Sequence, residues 1–207
     1  RFAMGSCVAF IYGMALFGST YLLPVYMQVG LSMSATFVGT LLLPASLALA
    51  LTIAMVGRLG NRWSTHVLVS TGLVLLAVSF VLVFLVHLGT SLWLITSLVV
   101  VGRMGLGFIL PSLNVGAMRG RSKELIPQGA SAINYARTLG GAVGVGLCGI
   151  VLEWRLAVHG DNLATAASSP ARLSAFNETF LMLALLCLLA LPAAWRLQTR
   201  GATGGQT

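Results

Sequence analysis

The segment Leu92–Met118, LWLITSLVVVGRMGLGFILPSLNVGAM, is apolar over 27 residues except for a few small polar side chains and Arg103 near its middle. As a helix it would be about 40 Å long, enough to cross a bilayer, and Arg103 would lie near the membrane centre. Because a guanidinium in hydrocarbon is costly unless it meets water or a partner, Arg103 is a candidate for a solute pathway. An arginine that only joins helices by bonding backbone carbonyls is the alternative.

The composition of the whole chain is that of an integral membrane protein. Of its 207 residues 57% are hydrophobic and 8% are charged, whereas soluble domains average about a quarter charged. The net charge of +8 does not indicate a nucleic-acid partner, since the basic residues are thinly spread and flank apolar runs. These residues favour contact with the headgroups of a lipid bilayer.

Hydropathy predicts an all-α membrane protein with six transmembrane helices in one bundle, residues 1–200, followed by a disordered tail, 201–207. The predicted helices cover about residues 2–27, 35–56, 65–86, 92–118, 128–153 and 177–195. One set of connections carries eight basic residues and the other set carries Arg155 and Arg172. The positive-inside rule therefore places both termini in the cytoplasm, and we expect a multi-pass protein of the bacterial plasma (inner) membrane. The eight basic residues are Arg1, Arg58, Arg62, Arg119, Arg121, Lys123, Arg196 and Arg200.

Six helices with both ends on one side divide into two triplets of opposite orientation, the inverted 3+3 repeat of many secondary transporters. The first and fourth helices are interrupted by Pro24 and Pro111, which predicts that they line the solute path. The third and sixth are the most uniformly aliphatic, and we expect them to face lipid.

Apolar and polar side chains recur along one face of the first helix at spacings of three and four residues. Aromatic rings and a thioether on such a face suit a cavity for lipophilic or cationic solutes. A stripe that only packs against another helix is equally compatible with this spacing. The face comprises Phe10, Met14, Phe17, Tyr21, Pro24 and Gln28.

The fifth helix combines a second buried arginine with a glycine face. Arg137 follows Asn134 by one turn, which makes both candidates for the cavity. Gly140 and Gly144 form a G-x-x-x-G pattern, which lets another helix approach closely.

The loop between the second and third helices, GRLGNRWSTHVL, resembles the G-x-L-x-D-R-x-G-R-[KR]-x-L signature of the major facilitator superfamily. Gly57, Leu59, Arg62 and Leu68 are in register with that signature, which makes Gly57, Asn61 and Arg62 candidates for a gating loop. Asn61 stands where the family has an aspartate, so the charge pair attributed to this loop is missing. The resemblance therefore implies a weakened second copy, as expected in the C-terminal half of such a transporter.

The fourth helix resembles the family pattern of an arginine with glycine four residues on, here Arg103 and Gly107, followed by Asn114. The order Q-G-A-S-A…N-x-x-R-x-L-G-G-x-x-G, with Y-L-L-P-V-Y-M-Q at residues 21–28, is similar to the last six helices of the fourteen-helix drug:proton antiporters of the EmrB/QacA type. This resemblance implies alternating access against a missing N-terminal half, with lipophilic or cationic solutes and protons as ligands. It also implies that Arg103 and Asn114 face the cavity and that Gly107 is a packing residue.

The sequence contains no motif for a cofactor, a metal ion or an intramembrane enzyme. No carboxylate is predicted at mid-membrane depth, so a titrating acid is expected in the N-terminal half. Two alternatives remain open at this point. Buried arginines without buried acid would suit a carrier of an anionic metabolite, and the glycine face would suit a non-transporting membrane scaffold.

Overall fold

The computed structural model describes residues 2–59, 63–87, 89–118, 126–163 and 169–196. In these ranges the regular structure is helical, and all six helices are long and apolar enough to cross a membrane, with mean hydropathies of 1.6 to 2.7. The prediction of six transmembrane helices is therefore confirmed. The helices are α1 (Phe2–Val25, continued by a π-helical turn, Tyr26–Gly30), α2 (Ala35–Leu59), α3 (Thr65–Phe84), α4 (Leu92–Met118), α5 (Ile126–Val158) and α6 (Pro170–Trp195).

The helix ends differ from expectation where charged residues had been assigned to loops. α5 continues to Val158 rather than ending at Glu153, and α6 begins at Pro170 rather than at Asn177. At the start of α6 the side chain of Ser169 accepts a hydrogen bond from the backbone N–H of Arg172, and proline occupies the first turn. Charged side chains at these ends form ion pairs, which are described below.

The contacts between helices are repeated when α1, α2 and α3 are exchanged for α4, α5 and α6, respectively. α1 lies against α5 as α4 lies against α2, α3 contacts α4 as α6 contacts α1, and α3 contacts α6. The pairs α1–α5 and α2–α4 are parallel, whereas α3 runs antiparallel to both α4 and α6. The two triplets thus form the 3+3 inverted repeat of the predicted fold.

A buried aromatic cluster joins the C-terminal ends of α1 and α3 to the N-terminal end of α6. Tyr26 makes edge-to-face contacts with Phe176 and Phe180, at ring-centroid distances of 5.7 and 5.5 Å, and Phe80 lies 5.9 Å from Phe180. These contacts fix α6 antiparallel to α1. The start of α1 and the end of α6 therefore lie at the same end of the bundle, here called the terminal end.

Exposed tryptophans mark both ends of the bundle. Trp63 and Trp195 lie at the terminal end, and Trp93 and Trp154 lie at the opposite end, here called the distal end. Tryptophan is enriched where membrane meets water, so the two pairs match the two surfaces of a bilayer. Of the six helices, α2 and α5 are the least buried. In their apolar 18-residue segments only 17% and 28% of the residues are buried.

Candidate solute-binding site

Arg103 lies on α4 at mid-length and reaches across to α1. Its Nη1 donates a hydrogen bond to Oγ1 of Thr20 at 3.1 Å. The side chain of Thr20 is exposed and in turn donates to the carbonyl oxygen of Leu16. The guanidinium is thus held by a side-chain hydroxyl at the edge of the α1–α4 contact. The alternative predicted for it, bonding to backbone carbonyls, does not occur among the described residues.

Arg137 on α5 is held by its own helix. Its Nη2 donates to Oδ1 of Asn134 at 2.6 Å, as the one-turn spacing predicts. The Nε of Arg137 is buried and makes no hydrogen bond within the described part of the chain. This arginine therefore retains a buried donor without an acceptor, which costs free energy unless another group supplies one.

Tyr12 is a further polar side chain in this part of the bundle. It is buried on α1, near both guanidinium groups. Polar side chains from three helices therefore lie near one another. We call this group the central polar site, comprising Tyr12, Thr20, Arg103, Asn134 and Arg137.

The α1 face predicted to line a cavity divides into two parts. The backbone of Phe10 lies against Gly140, and Met14, which is 4% exposed, lies against Gly144. These two residues form the packing contact with α5, the alternative left open for this stripe. By contrast, Tyr21 and Gln28 are exposed further along α1, and Phe17 is exposed beside Gly141.

Asn114, Asn134 and Arg137 line a cleft of about 450 Å³ between α4 and α5, towards the terminal end. Beside Arg103, in contrast, the space between the two triplets is a cavity of about 10 Å³, no more than a single water needs. The sequence had made both arginines candidates for one cavity. The structure differs because α1 and α4 meet at Thr20 and Arg103, which leaves the larger opening on the α4–α5 side.

The glycines predicted to serve packing lie at helix contacts. Gly140 and Gly144 face α1, and Gly107 on α4 faces Thr52 on α2. In the candidate gating loop Gly57 is exposed at the end of α2, and none of the described residues lies within 4 Å of a β-carbon added there. Asn61 and Arg62 lie outside the described residues, as does the predicted tail, residues 201–207.

The distal end carries a cluster of charges that sequence reasoning did not connect. Glu178 on α6 accepts hydrogen bonds from Nε and Nη2 of Arg155 on α5, and it lies 3.2 Å from Nε2 of His159. The spacing of Arg155 and His159, four residues on one helix face, could have indicated a shared partner. We call this the distal ion cluster.

A second ion pair lies beside the distal ion cluster. Arg172, which is 1% exposed, pairs with Asp161 at 3.1 Å and donates to the carbonyl oxygen of Asn162. Asn177 donates from Nδ2 to the carbonyl oxygens of Phe84 and Val86, so α6 caps the end of α3. These contacts fix the distal ends of α3, α5 and α6. Within the described ranges no group of His, Cys, Asp and Glu is arranged to hold a metal ion.

Comparison with known proteins gives the family. Residues 2–145 match the Major Facilitator Superfamily. The chain is 26% identical over 176 residues to the multidrug transporter protein MdtP of Bacillus subtilis, and 28% identical over 203 residues to a methylenomycin A resistance protein of Streptomyces coelicolor. It is also 27% identical over 143 residues to the lincomycin resistance protein LmrB of Listeria monocytogenes.

These alignments cover 81%, 96% and 69% of this chain, but 32%, 39% and 30% of the three relatives. The chain therefore spans between three and four tenths of the length of the relatives it matches. The family match covers more than half of the chain and agrees with the six-helix repeat. The chain belongs to the major facilitator superfamily, a family of multi-pass membrane transport proteins rather than enzymes.

Proposed function

We propose that this chain is the C-terminal six-helix half of a proton-coupled multidrug exporter of the bacterial plasma membrane, working by alternating access. The observation that carries the proposal is the central polar site. Two guanidinium groups and an amide at membrane depth are costly in a bundle that only assembles, but they are useful where a polar path must cross the membrane. In an alternating-access cycle this bundle would rock against its partner half around that site.

The exposure of α2 and α5 supports a missing partner. These helices are the least buried of the six, and their exposed faces are mainly apolar. An N-terminal half of the same transporter would cover them, and its absence from this chain agrees with the relatives being much longer. The partner half would also enclose the exposed edge of the central polar site.

The names of the relatives support lipophilic drugs as the solutes. One is named a multidrug transporter, and two are named for resistance to methylenomycin A and lincomycin. In this chain the rings of Phe17 and Tyr21 are exposed next to Thr20. Such rings offer an apolar wall that also attracts cations.

Proton coupling would depend on an acid in the other half. Glu153 is exposed near the distal end of α5, and Asp161 and Glu178 are paired with arginines at the same end. Glu153 and Asp161 lie at or beyond the end of α5, and the carboxylate of Glu178 is already bonded to Arg155 and contacts His159. The cycle we propose therefore titrates a carboxylate of the N-terminal half, with the terminal end of this bundle in the cytoplasm.

Replacing Arg103 with alanine in the full-length transporter tests the proposal. We expect Arg103→Ala to reduce export of a lipophilic cation such as ethidium to background while membrane abundance is unchanged. The reason is that Arg103 joins α4 to Thr20 in the central polar site. Arg58→Ala is the matched control, since Arg58 is exposed at the end of α2, away from this site. Full export by the Arg103→Ala protein would remove the central polar site from the mechanism.

One observation favours a second candidate, a carrier for anionic metabolites. Within the described ranges neither Arg103 nor Arg137 pairs with a carboxylate, so a carboxylate or phosphate of a solute could pair with them. Competition in vesicles separates the candidates. If organic anions inhibit the protein's uptake of solute into the vesicles and lipophilic cations do not, the anion carrier is favoured.

A further inference from the structure

A groove lies between the terminal-end halves of α3 and α6, away from the central polar site. Its volume is about 610 Å³, and it is lined by side chains of these two helices alone. The central polar site, in contrast, is built from α1, α4 and α5. The groove therefore belongs to the outer surface of the bundle and not to the proposed solute path. Its lining residues are His66, Val67, Ser70, Thr71, Val74, Leu75, Leu191 and Trp195.

The lining of the groove changes from polar to apolar with depth in the membrane. At the mouth His66 lies in the first turn of α3, and Trp195 ends α6. Ser70 and Thr71 line the groove one turn deeper on α3. More than two turns deeper than His66 the lining consists of Val74 and Leu75, with Leu191 one turn from Trp195 on α6. A ligand that fits this arrangement has a polar head at the membrane surface and an apolar chain.

The charged groups at the mouth of the groove indicate whether the polar head of the ligand is an anion or a cation. Arg196 is exposed directly after Trp195, which lines the groove. The first turn of α3 also presents the positive end of a helix dipole, which favours an anion. Basic groups beside a cleft between helices at the membrane surface are the usual recognition elements for anionic lipid headgroups.

We propose that the groove between α3 and α6 binds an anionic phospholipid, with an acyl chain along Val74, Leu75 and Leu191 and the phosphate beside His66 and Arg196. The exposed indole of Trp195 lies at the mouth, between headgroup and chain. Such a lipid would stabilise the terminal end of the α3–α6 contact. The distal end of that contact is already fixed by the hydrogen bonds of Asn177.

Quenching of Trp195 by brominated lipids tests this site in the full-length protein reconstituted into vesicles. Trp195 is made the single tryptophan by replacing every other tryptophan with phenylalanine. One arginine near the membrane surface favours an anionic lipid by about fivefold. We therefore expect dibromo-phosphatidylglycerol to reach half-maximal quenching at about one fifth of the mole fraction that dibromo-phosphatidylcholine needs.

Two controls make the result specific. A protein with Trp154 as its single tryptophan has an equally exposed indole at the distal end, 60% exposed against 64% for Trp195. Because the charge of the adjacent Arg155 is paired with Glu178, this protein should show no preference between the two lipids. Arg196→Gln should remove the preference at Trp195 while leaving quenching by phosphatidylcholine unchanged. Equal quenching of Trp195 by both lipids, or a preference that survives Arg196→Gln, would overturn the proposal.

Discussion

Two helix contacts that correspond in the repeat, α1–α5 and α4–α2, are built differently. At the first, glycines bring backbone against backbone: a β-carbon at Gly140 would collide with the carbonyl oxygen of Phe10, and one at Gly144 would lie 2.5 Å from Cα of Met14. At the second, a β-carbon at Gly107 would meet the side chain of Thr52, 2.7 Å from its Cβ. The side chain of Thr52 can be removed by substitution, whereas a backbone carbonyl cannot. The difference predicts that crowding at the α4–α2 contact can be relieved by truncating Thr52, and that crowding at the α1–α5 contact cannot be relieved by any substitution on α1.

The largest effect is expected from Gly140→Ala. The added methyl group would push α1 away from α5, and overpacking of this kind costs about 1–3 kcal/mol. The measurement is the midpoint of thermal unfolding of the purified full-length protein in detergent, together with the yield of monodisperse protein. Gly146→Ala is the matched control on the same helix, because none of the described residues lies within 4 Å of a β-carbon there. Equal midpoints for the two variants would show that the close approach at Gly140 does not constrain the bundle.

A smaller and reversible effect is expected from Gly107→Ala. Because its neighbour is the side chain of Thr52, removing that side chain should make room for the methyl group. In a double-mutant cycle on thermal stability, Gly107→Ala should destabilise the wild-type protein by about 1 kcal/mol. It should have a clearly smaller effect in a Thr52→Gly background, where the remaining close neighbour is the carbonyl oxygen of Leu49 at 3.2 Å. Additive effects would mean that truncating Thr52 does not relieve the crowding at the α4–α2 contact.

The smallest effect is expected from Tyr26→Phe, in the turn where α1 leaves α5 and contacts α6. The hydroxyl of Tyr26 is buried in the aromatic cluster and makes no hydrogen bond among the described residues. Tyr26→Phe removes a desolvated polar group and keeps the ring contacts, so the unfolding midpoint should be unchanged or slightly raised. Tyr26→Leu, which removes the edge-to-face contacts, is the comparison and should lower the midpoint. A clear loss of stability in Tyr26→Phe would mean that the hydroxyl has a partner.

The comparison also shows what the sequence could and could not predict. Six apolar segments and the pairing of Asn134 with Arg137 follow from spacing alone, because both depend on neighbours within one helix. The partner of the Phe10 and Met14 stripe does not, since a three-to-four spacing describes a face without saying what covers it. Glycine spacing on α5 indicated a close helix contact but not that α1 makes it.

The ends of α5 and α6 were misjudged for a related reason. Charged residues such as Arg155 and Arg172 are normally assigned to loops at the membrane surface, which shortens the predicted helices. Here Arg155 on α5 pairs with Glu178 on α6, and Arg172 on α6 pairs with Asp161. The partners are far apart in sequence, so their pairing becomes visible only when the helices are placed side by side.

Water access along α1 and α4 is the most direct test of the central claim that Thr20 and Arg103 border an aqueous path. In a cysteine-free full-length protein, Thr20→Cys and Leu189→Cys place single thiols at two exposed positions, the first beside Arg103 and the second on α6. Both are labelled in intact membranes with a charged thiol reagent. Our account predicts rapid labelling at position 20, slowed by an exported drug, and protection at position 189 by lipid. Protection at both positions would show that Arg103 lies in a closed bundle, which would contradict the transport path proposed here.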